Sequence, residues 1–200
     1  MNLKERVKGI LLKPKQEWQT ISKEAIAIPE LYKTYVVILA AIGPVASIIG
    51  MSLVGIRISF VGWFRTPILT SISSAVVHYI LTLVGIYVLA LIIDGLAPTF
   101  SGRKSLNQAF KVAAYSATPG WIVGVVGIIP SLSPLMILGL YGFYLLYLGL
   151  PVLMESPQEK SLGYSITVII VAIVIFVVIG FISHAFISYP TVGMPVPRIR

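Results

Sequence analysis

No cysteine occurs anywhere in the 200-residue chain, which excludes disulfides and thiolate metal sites. Acid is almost as scarce, with seven Asp and Glu against fifteen Lys and Arg, and there are only two histidines. Charged residues reach just 11% of the sequence. A soluble domain devotes about a quarter of its residues to charge, so this chain is too poor in charge to clothe a water-facing surface. Catalytic signatures are missing as well. There is no His-Glu-x-x-His metal motif, no Gly-x-Ser-x-Gly nucleophile elbow, and no acid pair set within an apolar run. These absences argue against an enzyme and leave no cofactor to expect.

What fills the chain is apolar sequence, with 57% hydrophobic residues and a mean hydropathy of +0.95. It is organised in five runs: Tyr35–Leu53, Ile68–Ile93, Val112–Ile129, Leu135–Met154 and Tyr164–Ile187. Each approaches the ~20 residues that carry a helix across ~30 Å of hydrocarbon. Backbone amides at that depth must be satisfied within the segment, so helices are expected. The third run is the weakest, because Pro119 and Gly120 interrupt it. The expected fold is all-α, a polytopic membrane bundle of five transmembrane helices with amphipathic N-terminal and loop helices. Residues 1–33 form a cytoplasmic basic segment, 34–187 the membrane domain and 188–200 a short external tail.

Charge sets the orientation. Lys4, Arg6, Lys8, Lys13, Lys15, Lys23, Lys33, Arg103, Lys104, Lys111 and Lys160 fall on one side of the alternating spans, against Arg57, Arg65, Arg198 and Arg200 on the other. The positive-inside rule places the N-terminus in the cytoplasm and the C-terminus outside, in the cell (cytoplasmic or inner) membrane. The only early apolar stretch, Ile10–Leu12, is too short for a signal peptide and runs straight into Lys13-Pro14. The net charge of +8 then points to anionic lipid headgroups rather than nucleic acid.

Two cytoplasmic segments carry helical patterns. Leu3, Val7, Ile10 and Leu11 recur at helical spacing with Lys4, Glu5, Arg6 and Lys8 around them, as in a basic helix lying on the membrane. Beyond Pro14, Trp18, Ile21 and Ala25 mark a second stripe. The segment is either an anchor that orients the first span or a docking element. In the second loop, Ser105 precedes Gln108 by three, a capping-box spacing. The helix it opens has Leu106, Phe110 and Ala113 on its apolar face, with Asn107, Lys111 and Ala114 opposite, and Pro119 breaks it. Such a break either lines a binding site or lets the helix bend into the bilayer. Lys4, Arg6, Lys8, Trp18, Arg103, Lys104 and Lys111 make up the candidate partner or lipid surface.

Polar groups also lie inside the spans. Ser71, Ser74, His78, Thr82 and Gly85 share one face of the second, suited to close helix contact. His78 is either a hydrogen-bonded packing residue or a proton relay. Tyr141, Tyr144 and Tyr147 share a broad face of the fourth span, toward other helices or a hydrated pocket. His78, Thr82, Tyr141, Tyr144 and Tyr147 therefore form a candidate polar pocket. Gly43-Pro44 marks a kink in the first span, and Gly120-x-x-x-Gly124 a close contact in the third.

Several pieces occur in a telling order: Ile10-Leu11-Leu12-Lys13-Pro14 with Trp18, Phe100-Ser-Gly102 leading to Gln108-Ala109-Phe110-Lys111-Val112, Ala114-Tyr115-Ser116 with Pro119, Ile129-Pro130, and Tyr141…Tyr144-Leu-Leu-Tyr147-Leu-Gly149-Leu150. From Lys8 to about Phe186 the chain resembles the Yip family, the Ypt/Rab-interacting multi-span membrane proteins. That resemblance implies five helices, a cytoplasmic N-terminus and a short external C-terminus. Eukaryotic members act in vesicle traffic and bind prenylated small GTPases and one another. This chain lacks their long hydrophilic N-terminal region and is more similar to short prokaryotic members, so the architecture carries over rather than the GTPase. The expected function is a non-enzymatic scaffold or adaptor that binds other membrane proteins, cytosolic partners or copies of itself. The alternative is a small transporter, channel or lipid-translocating protein built around His78 and the tyrosines.

Overall fold

The computed structural model describes residues 2–58 and 62–185. The expected external tail, with Arg198 and Arg200, lies outside the described residues, as do the side chains of Arg57 and His184. Two short helices open the chain, α1 (Leu3–Leu12) and α2 (Pro14–Lys23). Asn2 caps α1 by accepting from the Lys4 and Glu5 amides, and Pro14 starts α2, where a missing N–H costs nothing. The first long helix, α3 (Ile28–Val54), is irregular. Its α-helical register breaks at Ala41, since Pro44 cannot donate to the Ala40 carbonyl. It ends at Gly55, whose φ of 79° lies in the left-handed region that favours glycine, with its amide returning to the Gly50 carbonyl. A short antiparallel hairpin, β1 (Ile56–Ile58) and β2 (Gly62–Phe64), follows in the register Ile56↔Phe64; the all-α expectation did not include it.

Helix α4 (Ile68–Leu96) is 29 residues long, about 44 Å at 1.5 Å per residue, and so exceeds a bilayer core. The next stretch is segmented into α5 (Leu106–Ser116), α6 (Thr118–Val123) and a 3-10 turn over Gly124–Ile128. The break at Ala117 follows from Pro119, as expected. Helix α7 (Pro130–Leu153) begins as a 3-10 helix and becomes α-helical at Tyr141, and α8 (Gln158–Ala185) closes the described chain. Among the described residues, four helices are long and apolar enough to cross a membrane: α3, α4, α7 and, as Gln158–Ser183, α8. The expected third span is not among them.

That segmented stretch nonetheless packs along α3, from the residues just before it to Gly50. Lys111, near its start, reaches the carbonyls of Ile21 and Glu24 just before α3. At its other end, a Cβ on Gly124 would lie 2.9 Å from the Cα of Gly43, and Gly127 packs beside Ala46 and Ser47. Glycine at both faces of this crossing lets the backbones touch, as membrane helices require where no hydrophobic force drives association. Gly139 meets Gly120 in the same way, its Cβ position 3.3 Å from the Gly120 Cα.

The core is not confined to the long helices. Ile10, Trp18 and Ile21 of the opening helices are fully buried together with Leu31, Tyr35, Phe110, Tyr115 and Leu145. This corrects the expectation of a helix lying on the membrane: the apolar stripes of α1 and α2 face the protein. In the second stripe Ile26 is buried and Ala25 exposed. The faces left open belong to the long helices, where residues such as Leu69, Ile80, Ile137, Ile170, Val174 and Phe181 stand exposed. That is the surface of a lipid-facing bundle, since lipid accepts apolar side chains without cost.

Candidate functional site

The N-terminal hairpin is held by charge as well as by packing. Arg6 is 7% exposed, and its guanidinium pairs with the carboxylates of Glu17 and Glu24 while standing 5.6 Å from the centre of the Tyr115 ring. Lys111, 2% exposed, donates to the carbonyls of Ile21 at 3.2 Å and Glu24 at 2.5 Å and to Gln108 Oε1 at 3.2 Å. Gln108 Nε2 donates to the Ser22 carbonyl at 3.2 Å. The first two turns of α5 thus satisfy the carbonyls at the C-terminus of α2, the negative end of that helix. Ser105 caps α5 by accepting from the Gln108 amide at 3.5 Å, but the reciprocal half of the capping box is absent because the Gln108 side chain is engaged with α2.

These contacts reassign part of the candidate partner surface. Arg6, Trp18 and Lys111 are internal and engaged in the hairpin, and the polar face expected for α5 is covered from Ala109 through Ser116. Lys4, Lys8, Arg103 and Lys104 remain exposed. Lys13, Lys15, Lys23, Lys33 and Lys160 are exposed as well. The loops at the ends of α4 and α7 are stitched together: the Arg103 amide donates to the Met154 carbonyl at 2.7 Å, Arg103 lies 3.5 Å from Glu155, and Lys160 donates to Ser101 Oγ at 2.8 Å.

The candidate polar pocket divides in two. His78 and Thr82 line a cavity of about 510 Å³ together with Ser47, Ser74, Trp121 and Ser183. His78 Nδ1 lies 3.3 Å from Ser183 Oγ, Ser74 donates to the Ser183 carbonyl at 3.3 Å, and Thr82 donates back to the His78 carbonyl at 2.8 Å. The tyrosines lie elsewhere. Tyr141 donates to the Leu11 carbonyl at 3.1 Å, while Tyr144 and Tyr147 stand 44% and 42% exposed. Helical spacing put the tyrosines on one face of α7 but could not say which helix that face meets, and it meets the N-terminal hairpin. Sequence reasoning also missed Glu17 and Glu24 as partners of Arg6, and Tyr35, whose hydroxyl lies 2.7 Å from Thr118 Oγ1 and ties α3 to α6. Only opposite charge at helical distance hinted at the first.

The Yip1 domain matches residues 8–179. The Escherichia coli K12 protein named "Inner membrane protein YohC" is 28% identical over 169 residues, covering 82% of this chain and 87% of the relative; its counterpart in strain O6:H1 gives the same values. No solved structure matches. With the domain spanning nearly the whole described chain and four apolar helices of membrane length among the described residues, the chain belongs to the Yip1 family and is a multi-pass protein of the cell membrane.

Proposed function

We propose that this Yip1-family protein is a non-enzymatic scaffold or adaptor of the cytoplasmic membrane. It engages membrane or cytosolic partners through the end of the bundle that carries the N-terminal hairpin and the loops after α4 and α7. In this reading the chain crosses five times, with α5, α6 and the following 3-10 turn as the third pass. The support is that this stretch begins with Lys111 on the Glu24 carbonyl, just before α3, and ends with the Gly127 and Ile128 backbones against Gly50, close to the other end of α3. The N-terminus is then cytoplasmic, in keeping with the excess of basic residues on that side.

One observation carries the partner surface: the buried cations Arg6 and Lys111 are matched internally, while the cations around them are left outward and mostly unpaired. Lys4, Lys8, Lys23 and Lys104 are exposed and make no ion pair among the described residues. A cysteine-free chain makes the test direct. Single cysteines at Lys8 and Lys104 carry a photoreactive maleimide in native membranes, with Val174→Cys on the lipid face as reference. Crosslinked partners, or copies of the same chain, should form from the first two positions well above the reference. Clean monomers from Lys8 and Lys104 overturn the adaptor reading. A membrane-impermeant maleimide checks orientation, since Arg65→Cys should react in intact cells and Lys104→Cys only after lysis.

A further inference from the structure

A cleft of about 720 Å³ separates α2 from α7 at the end of the bundle where α7 leaves the membrane. One wall is the Lys15, Trp18 and Gln19 face of α2, whose spacing of three and four puts these residues on one side of that helix. The other is Tyr147 and its neighbours in the last turns of α7, with Ser156 and the first turn of α8 as floor. No carboxylate lines it. What does line it is rich in donors: an ammonium, an indole, a phenol and two amides. Ser156 and Ser161 are already bonded to each other, and Ser161 also donates to the Pro157 carbonyl, so they shape the floor.

Trp18 adds an independent observation. Its side chain has no exposed surface, and its indole N–H has no acceptor among the described residues. A buried donor is rarely left without a partner in a folded protein. Lys15 is exposed and makes no ion pair among the described residues. An exposed cation beside an acid-free cleft, with an unpaired indole N–H buried in its wall, favours an anion over a metal ion. The place selects which anion, because the last turns of a membrane helix lie at headgroup depth, where an amphipathic tyrosine such as Tyr147 settles. Leu148 and Val152 give the cleft an apolar side on which an acyl chain can lie.

We propose that this cleft binds the phosphate of an anionic phospholipid headgroup, with Lys15 as the charge partner and Trp18 on its wall. It rests on membership of a membrane-protein family and not on the adaptor reading, so failure of the crosslinking above leaves it standing. The test uses full-length protein in detergent, titrated with short-chain phosphatidylglycerol, phosphatidylcholine or glycerol phosphate. Trp18 emission is followed in a variant with Trp63→Phe and Trp121→Phe. Phosphatidylglycerol should bind saturably, about tenfold tighter than phosphatidylcholine, and Lys15→Gln should remove most of that difference, as loss of a charge-assisted hydrogen bond does. Equal response to the two lipids overturns the proposal, and so does an equal loss in Lys33→Gln, an exposed lysine outside the cleft, which would mean surface charge alone. Glycerol phosphate binding as tightly as the lipid overturns the lipid assignment. Should the tryptophan variants fail to fold, native mass spectrometry of the unaltered protein and of Lys15→Gln counts the phosphatidylglycerol each retains. Fewer bound lipids on Lys15→Gln are expected, and equal numbers overturn the proposal.

Discussion

Trp18 and Gly149 make the hairpin's docking measurable. A Cβ on Gly149 would lie 2.7 Å from both Cε2 and Cζ2 of the indole, closer than real Cβ contacts, so ring and glycine occupy one shared space. Truncating a fully buried Trp costs about 3–5 kcal/mol. Here the lower end applies, because a released indole can settle at the lipid interface instead of in water. At 1.4 kcal/mol per decade, ~3 kcal/mol raises the open population of the hairpin on the order of a hundredfold. Trypsin cleavage after Lys15 and Lys23, under conditions where opening is faster than cutting, reads that population. Trp18→Ala should accelerate cleavage by about that factor. Gly149→Val should do nearly the same by expelling the ring, yet add little once Trp18 is already Ala. The cycle should therefore show a coupling of ~2 kcal/mol, within the range for residues in direct contact. Strictly additive effects, or unchanged cleavage in Trp18→Ala, would refute the docking geometry.

The charge network should respond differently from the packing. Arg6→Met strands two carboxylates, but Glu17 and Glu24 are 20% and 32% exposed, so the loss should be about 2–3 kcal/mol, below the 3–5 of a fully buried pair. Adding Glu17→Gln and Glu24→Gln should restore most of it, read as thermal stability in detergent by size exclusion. Gly124→Leu, set against the Gly43 backbone, should push α3 from the following 3-10 turn and lower the melting temperature by several degrees, whereas Val174→Leu on the lipid face should not. Ser105→Ala should cost only ~0.5 kcal/mol, the low end for an N-cap, because the 3.5 Å bond is long and Gln108 and Lys111 still anchor the turn; a loss above ~2 kcal/mol would contradict that division.

Local rules were legible wherever the controlling residue sits beside what it controls. Pro44 interrupts α3, Pro119 ends α5, Ser105 caps α5, and each effect reaches across only three or four residues. The third apolar run shows the limit of such reading. Pro119 and Gly120 marked it as the weakest, but that it divides into short pieces packed backbone to backbone on α3 follows only from the fold. Glu17 and Glu24 show the same limit for charge, since their partner Arg6 lies eleven and eighteen residues away, and only the fold of the hairpin closes those distances.

Composition alone determined that this chain lives in a membrane, because too little charge and too many long apolar runs leave no other solvent for its surface. Charge placement added an expected orientation, and the order of short motifs led to the family. Tertiary structure alone decided which cations face outward, that the N-terminal helices belong to the core, and that His78 and Tyr147 line separate clefts. The physical reason is that helical periodicity assigns a residue to a face but never names the neighbour that face will meet. That choice depends on contacts far apart in sequence, such as Trp18 on Gly149 and Lys111 on Glu24.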